Sequence, residues 1–254
     1  MAPDALDLEL AARDVALFLD IDGTLIEHRA HPTAALADEA LLDLLATTSV
    51  RLDGALALVT GRSIEMVDAM LAPLRLPVAG LYGLEHRLSA DGEAELASEP
   101  ADLTAVADAL HEEFHTVEGV YFERKGPVLA IHTRAAPAAL PSVRRAAEAA
   151  LARLGERYRI AAGNAGLEFV PIDALKGAAI RRFLEIAPFA GRRPVFIGDD
   201  TSDENGFDHV NSRGGVSIRV NPSGQTAARH ELATVGAVHR FIRTLAATSR
   251  GGAS

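Results

Sequence analysis

Two carboxylates, Asp20 and Asp22, stand two positions apart in the segment Asp20-Ile21-Asp22-Gly23-Thr24-Leu25. In an extended chain the side-chain period is two, so both point to the same side. One such group can attack a phosphorus atom while the other protonates the departing oxygen, as covalent phosphoryl transfer requires. Gly23 lets the chain turn sharply straight after them. The same residues also suit a turn with capping Asp side chains. A second acidic group, Gly198-Asp199-Asp200-Thr201-Ser202-Asp203-Glu204, places four acids within six residues. Hard oxygen donors of this kind suit Mg²⁺, which binds one or two carboxylates plus waters and a substrate phosphate. An isolated cluster would equally suit a solvated loop that caps a helix; with the Asp20 segment alongside, the metal is the better reading.

Two smaller signals complete the set. Thr60-Gly61-Arg62 offers a hydroxyl and a backbone N–H to a phosphoryl oxygen, although Thr60 also suits an ordinary helix N-cap. Lys176 opens an amphipathic stretch, Ala178–Ile186, where its charge opposes the helix macrodipole. That conflict resolves if the ammonium reaches an anion.

These residues must be carried by something, and three short apolar runs supply it. Val15–Leu19 ends at Asp20, Ala55–Val59 at Thr60, and Pro194–Ile197 at Gly198-Asp199-Asp200. Unbroken runs of this length fit strands buried on both faces of a parallel sheet. Helical spacing follows the first two, at Leu36, Ala40, Leu44 and at Ile64, Val67, Leu71. The expected fold class is α/β, a Rossmann-like parallel sheet, and ligands of such sheets bind at the carboxyl ends of the strands. Asp20, Thr60 and Asp199 would all sit there.

The texture changes between Ala101 and Ile172. A helix carrying Leu103, Val106, Leu110 and Phe114 leads to strands Val120–Lys125 and Val128–Arg134, joined at Gly126-Pro127. A second helix carries Val143, Ala147, Ala150 and Leu154; strands Tyr158–Ala162 and Leu167–Pro171 follow. This reads as an inserted α+β cap domain, 102–171, within a core of 1–101 and 172–254. In that cap, strand alternation gives Glu123 and Lys125 one face, and His132 and Arg134 one face. Both charge signs and an imidazole could hydrogen-bond sugar hydroxyls, or form a solvated outer face. The tail from Thr248 to Ser254 is expected to fray.

Taken in order, Asp20–Leu25, Thr60, Lys176 and Gly198–Asp203 resemble the four motifs of haloacid-dehalogenase-type phosphatases. The resemblance implies that Asp20 is the nucleophile and Asp22 the acid/base. Thr60 and Lys176 would hold the phosphoryl group, and Mg²⁺ would be bound by Asp20, the Asp22 carbonyl and Asp199, with Asp200 and Asp203 behind them. Gly80-Leu81-Tyr82-Gly83-Leu84-Glu85 is similar to the Gly-x-His-Gly-x-Glu segment of trehalose-6-phosphate phosphatases, with Tyr82 where His is usual. Glu123-Arg124-Lys125-Gly126 with His132-Thr133-Arg134 resembles their Glu-x-Lys-Gly and His-Tyr-Arg cap segments, with Thr133 where Tyr is usual. Glu168 resembles a further residue of that family. The implied substrate set is Gly61, Arg62, Tyr82, Gly83, Glu85, Glu123, Lys125, His132, Arg134 and Glu168. The implied activity is Mg²⁺-dependent hydrolysis of trehalose 6-phosphate through an aspartyl-phosphate. Sucrose 6-phosphate or mannosyl-3-phosphoglycerate is the alternative substrate, and a non-catalytic sugar-phosphate sensor the alternative class.

Composition narrows the partners. The chain has 254 residues, enough for one large domain or two modest ones. With 25 Lys and Arg against 35 Asp and Glu, its charge of −10 repels nucleic acid, while a few local cations still admit a small anion. The absence of cysteine excludes disulfides, thiol catalysis and Cys-ligated zinc. No apolar run reaches the roughly 18 residues of a membrane helix. Met1–Arg13 has no basic start or long apolar stretch, so a cytoplasmic location without a secretory signal is expected, with a monomer slightly favoured.

Overall fold

The computed structural model describes residues 5–6, 8–28, 37–96, 103–163 and 166–248. The chain forms two compact units, Met1–Ala97 with Leu175–Ser254, and Ser98–Ala174. The expected helical position Leu36 and the tail beyond Thr248 lie outside the described residues.

In chain order the first unit contains β1 (Val15–Leu19), α1 (Glu39–Arg51), β2 (Leu56–Val59), α2 (Ile64–Leu71), β3 (Val78–Gly80), β4 (Glu85–Arg87) and β5 (Glu95–Leu96). The second unit then supplies α3 (Thr104–Phe114), β6 (Tyr121–Lys125), β7 (Val128–His132), α4 (Leu140–Leu154), β8 (Tyr158–Gly163) and β9 (Gly166–Pro171). The first unit resumes with α5 (Lys176–Leu184), β10 (Arg193–Gly198), α6 (Glu204–Ser212), β11 (Val216–Val220), β12 (His230–Leu232) and α7 (Val235–Ala247).

The first unit is built on one eight-stranded sheet, ordered β12-β11-β10-β1-β2-β3-β4-β5. The strands from β12 to β3 run parallel; β4 and β5 add an antiparallel edge. Every residue of β1 and β2 is buried, which is why these strands read as unbroken apolar runs. From β1 the chain builds outward to β2 and β3, and from β10 outward to β11 and β12 on the other side. The boundary between β1 and β10 is therefore the switch point where such sheets bind ligands. A cluster of rings fixes α5 against this centre: Phe18 of β1 lies 5.9 Å from Phe183 and 5.6 Å from Phe189. Helix starts are set locally, with Asp38, Ser63 and Thr234 accepting backbone N–H groups of α1, α2 and α7. The α/β class expected from the sequence is the class observed.

The second unit is a four-stranded antiparallel sheet, β6-β7-β9-β8, with α3 and α4 on one face. Leu129, Ile131, Leu167 and Phe169 point to those helices and meet Val106, Leu110, Phe114, Val143 and Ala147. The opposite positions, Glu123, Lys125, His132 and Glu168, form the polar face. One expectation is corrected here. β7 ends at His132, and Arg134 lies in the following turn, so strand alternation does not place it beside His132. The reason is a turn closed by the Ala136 N–H donating to the Thr133 carbonyl at 2.9 Å. Among the described residues no helix is long and apolar enough to cross a membrane.

Candidate active site

Asp20 lies immediately beyond β1 and is 4% exposed. Its backbone N–H donates to the Ile197 carbonyl of β10 at 2.9 Å, which ties together the strand ends carrying Asp20 and Asp199. Lys176, the first residue of α5, is 2% exposed, and its ammonium donates to Asp20 Oδ1 at 2.8 Å and Asp203 Oδ1 at 2.7 Å. The anion that the sequence demanded for this lysine is thus a pair of carboxylates. Asp203 is fully buried, and its Oδ2 accepts the N–H groups of Asp199 and Asp200 at 3.0 and 2.9 Å. Both its oxygens are engaged, so it fixes Lys176 and the acidic loop. Asp200 faces the loop itself and accepts the Thr201 N–H as the cap of the turn Thr201–Asp203.

Asp199 is the open member of the group. Its Oδ2 pairs with His28 Nε2 at 2.8 Å, while its Oδ1 is buried with no hydrogen-bond partner among the described residues. Carboxylate oxygens of Asp20, Asp199 and Asp203 lie within 4.8 Å of one another. Three carboxylates around one ammonium leave surplus negative charge out of water. Burial, aided by Asp203 and Asp199, pushes the Asp20 carboxyl well above the ordinary range despite Lys176. Burial likewise raises Asp203. Burial alone would depress Lys176, yet the charges of Asp20 and Asp203 outweigh it and hold its pKa above the usual value. An unpartnered buried carboxylate oxygen in surplus negative charge fits a hard divalent cation. Gly23, at φ 79°, passes so close that a Cβ there would overlap the Asp199 carboxylate and the His28 ring.

Thr60 closes the other side, one residue beyond β2 and 1% exposed. It does not cap α2, because Ser63 takes that task by accepting the Met66 N–H. Its hydroxyl accepts the Arg62 N–H at 3.2 Å. Arg62, 5% exposed, sends Nε and Nη2 to the two Asp22 oxygens, each at 2.7 Å. This two-pronged pairing fixes the plane of the carboxylate expected to move protons.

On the polar face of the second unit, Glu123 Oε2 meets His132 Nε2 at 2.9 Å and Lys125 Nζ at 3.4 Å. Lys125 also reaches Glu168 Oε1 at 3.3 Å. The register explains the convergence: Glu123, Ala130 and Glu168 face one another across β6, β7 and β9, and the small Ala130 leaves room between the acids. The hydrogen bond from His132, with Lys125 assisting, holds Glu123 below the ordinary glutamate range against burial.

The sequence profile of the family described as trehalose-phosphatase matches residues 18–235. This chain belongs to that family. It is accordingly a phosphatase, a phosphoric monoester hydrolase. It is 42% identical over 207 residues to a Sinorhizobium fredii protein named a probable trehalose-phosphate phosphatase, covering 82% of this chain and 78% of that one. It is 36% identical over 241 residues to a trehalose-6-phosphate phosphatase of Escherichia coli, covering 93% and 88%. Its fold matches the C-terminal domain of Candida albicans trehalose-6-phosphate phosphatase with a TM-score of 0.78 over 92% of each chain, at 20% identity.

In this family member the structure gathers Asp20, Lys176, Asp199 and Asp203 into one buried cluster, and pairs Asp22 with Arg62. Sequence reasoning missed His28, whose only signal is that it follows the Asp20 turn. It also missed Arg219 on β11. That guanidinium donates to the Asp200 carbonyl at 3.2 Å and to Glu204 Oε1 at 2.6 Å, while Glu204 Oε2 accepts the Ala227 N–H. A charge inside the otherwise apolar Val216–Val220 run was the signal available. Asn205, which accepts the Gly177 N–H at the start of α5, gave none.

Proposed function

We propose that this phosphatase hydrolyses trehalose 6-phosphate to trehalose and phosphate, with Mg²⁺ and through an aspartyl-phosphate. The observation that carries the chemistry is the buried bridge of Lys176 between Asp20 and Asp203, with the unpartnered Asp199 oxygen beside it. Asp20 attacks phosphorus and the bond to the sugar oxygen breaks. Asp22 gives its proton to that oxygen, then takes one from the water that splits the aspartyl-phosphate. Arg62 holds both oxygens of the Asp22 carboxylate; in the acid form the proton occupies one oxygen and Arg62 keeps the other, so the group stays oriented. Thr60, the Gly61 N–H and Lys176 stabilise the equatorial oxygens. Asp20, Asp199 and the Asp22 carbonyl would hold Mg²⁺, whose positive charge would let an anionic nucleophile meet an anionic phosphate.

Residues 102–171 act, in this reading, as an inserted cap that recognises the sugar. Glu123, Lys125, His132 and Glu168 offer acceptors and donors that can exchange partners for hydroxyls, and Arg134 extends the set from its turn. The names of the similar proteins and the mixed polarity of the Glu123 face favour trehalose 6-phosphate over other sugar phosphates.

The test is phosphate release, with Mg²⁺ and with EDTA, from trehalose 6-phosphate, sucrose 6-phosphate, mannosyl-3-phosphoglycerate and glucose 6-phosphate. A Mg²⁺-dependent preference for the first is expected. Preference for another keeps the Asp20 chemistry and reassigns the cap; no release by a folded sample that binds Mg²⁺ sinks the catalytic reading in favour of a sensor.

A further inference from the structure

The turn between β3 and β4 holds three successive residues in the left-handed region: Leu81 at φ 48°, Tyr82 at φ 61° and Gly83 at φ 99°. Two of these carry side chains that disfavour it, so the surroundings must enforce the conformation. They do so through the groups that handle phosphate. The Leu81 N–H donates to the Arg62 carbonyl and the Tyr82 N–H to the Thr60 carbonyl, both at 2.9 Å. The Tyr82 ring lies on Gly61, where an added Cβ would come within 2.6 Å of Cζ and 2.7 Å of the hydroxyl oxygen. Gly83 passes against the start of α5, where its own Cβ would meet Ala179 Cβ at 2.9 Å and the Leu175 carbonyl at 3.2 Å. Glu85 then turns back, and its Oε2 accepts the Ile64 N–H that opens α2 at 2.7 Å.

We propose that Leu81–Glu85 is a clasp that sets the Thr60–Arg62 loop relative to Lys176, and that Tyr82 and Glu85 are positioning residues which do not contact the sugar. This rests on the phosphatase reading but not on the identity of the sugar. It also explains how Tyr can stand where His is usual: the task is to cover Gly61 with a flat ring from a left-handed backbone.

A substrate without a sugar separates positioning from contact. Glu85→Ala and Gly61→Ala are expected to lower kcat by the same factor, about 10- to 100-fold, on trehalose 6-phosphate and on p-nitrophenyl phosphate, with KM nearly unchanged. Glu85→Gln keeps an acceptor oxygen and should recover most of the loss on both. Orthovanadate, a phosphoryl mimic that needs neither sugar nor turnover, should bind correspondingly more weakly to Glu85→Ala by calorimetry. A loss confined to trehalose 6-phosphate, or unchanged vanadate binding by a folded variant, overturns the proposal. Should Glu85→Ala fail to fold, Gly61→Ala decides: a loss shared equally by both substrates supports the clasp, while a loss on the sugar phosphate alone, or none, overturns it. If trehalose 6-phosphate proves not to be the substrate, the aryl phosphate and vanadate still test the clasp.

Discussion

The two units hold their charges in opposite ways. In the first, Lys176 is bonded on two sides by carboxylates with almost no exposure, and its partners lie 156 and 27 positions away in sequence. In the second, Glu123, Lys125, His132 and Glu168 share a sheet face, with side chains 28%, 9%, 20% and 15% exposed. Burying ions is costly unless each is paired, so the first arrangement exists only because the fold over-determines it. Pairs that keep part of their surface in water cost less to separate. Chemistry needs the former, since groups that stabilise a transition state must not reorganise. Recognition tolerates the latter, since hydroxyls must replace existing partners.

The contrast can be broken most sharply at the nucleophile. Asp20→Asn should cut turnover by at least about 10⁴-fold on every phosphate monoester, aryl or sugar, while the fold persists. Measured phosphate release above that level would remove Asp20 from its role. Next in size is Lys176→Met, which strands Asp20 and Asp203 and should destabilise by about 3–5 kcal/mol. Its counterpart Lys125→Ala leaves Glu123 paired with His132 and should cost less, about 1–2 kcal/mol. That variant should nonetheless lose trehalose 6-phosphate hydrolysis at least about tenfold, with p-nitrophenyl phosphate little affected. Denaturant melts together with the two assays decide whether the units differ as stated; equal stability losses would erase the comparison.

Mg²⁺ should raise the thermal midpoint of the wild-type chain, because a ligand that binds only the folded state stabilises it. Asp199→Ala should abolish that rise. The smallest effects concern pH. His86 is buried on β4 with its Nδ1 unpartnered among the described residues, and burial lowers its pKa from 6.5 to about 4. The unfolded chain therefore binds more protons between these values, and stability should decline as pH falls from 6.5 toward 4. His86→Leu should flatten that decline. Glu123 behaves as a depressed carboxylate: its contribution is complete above 4.5 and disappears as pH falls through its lower folded value. Urea midpoints at stepped pH, with Glu123→Gln as the comparison, read this directly.

The expected strands at Asp20, Thr60 and Asp199 were legible because they are buried on both faces, leaving no polar alternation to confuse them. β11 was not, because Ser217 and Arg219 interrupt its apolar pattern while being buried in the structure. The short antiparallel strands β4 and β5 were also silent, at three and two residues. Within the site, Lys176 announced itself by sitting where a helix dislikes a cation. Arg62 was legible as a residue near phosphate, but its partner was not: Asp22 is 40 positions away, and two-pronged pairing depends on where two strands end.

The sequence by itself determined the order of motifs and the strand ends that carry them, because short-range rules of burial, period and turn formation act on neighbouring residues. Only the tertiary structure decided who pairs with whom. Lys176 takes Asp203 as well as Asp20, Asp199 takes His28 and keeps one oxygen unpartnered, and Tyr82 lies over Gly61. Those outcomes depend on the close approach of segments far apart in the chain, and on the absence of a Cβ at the points of closest passage, which no local pattern encodes.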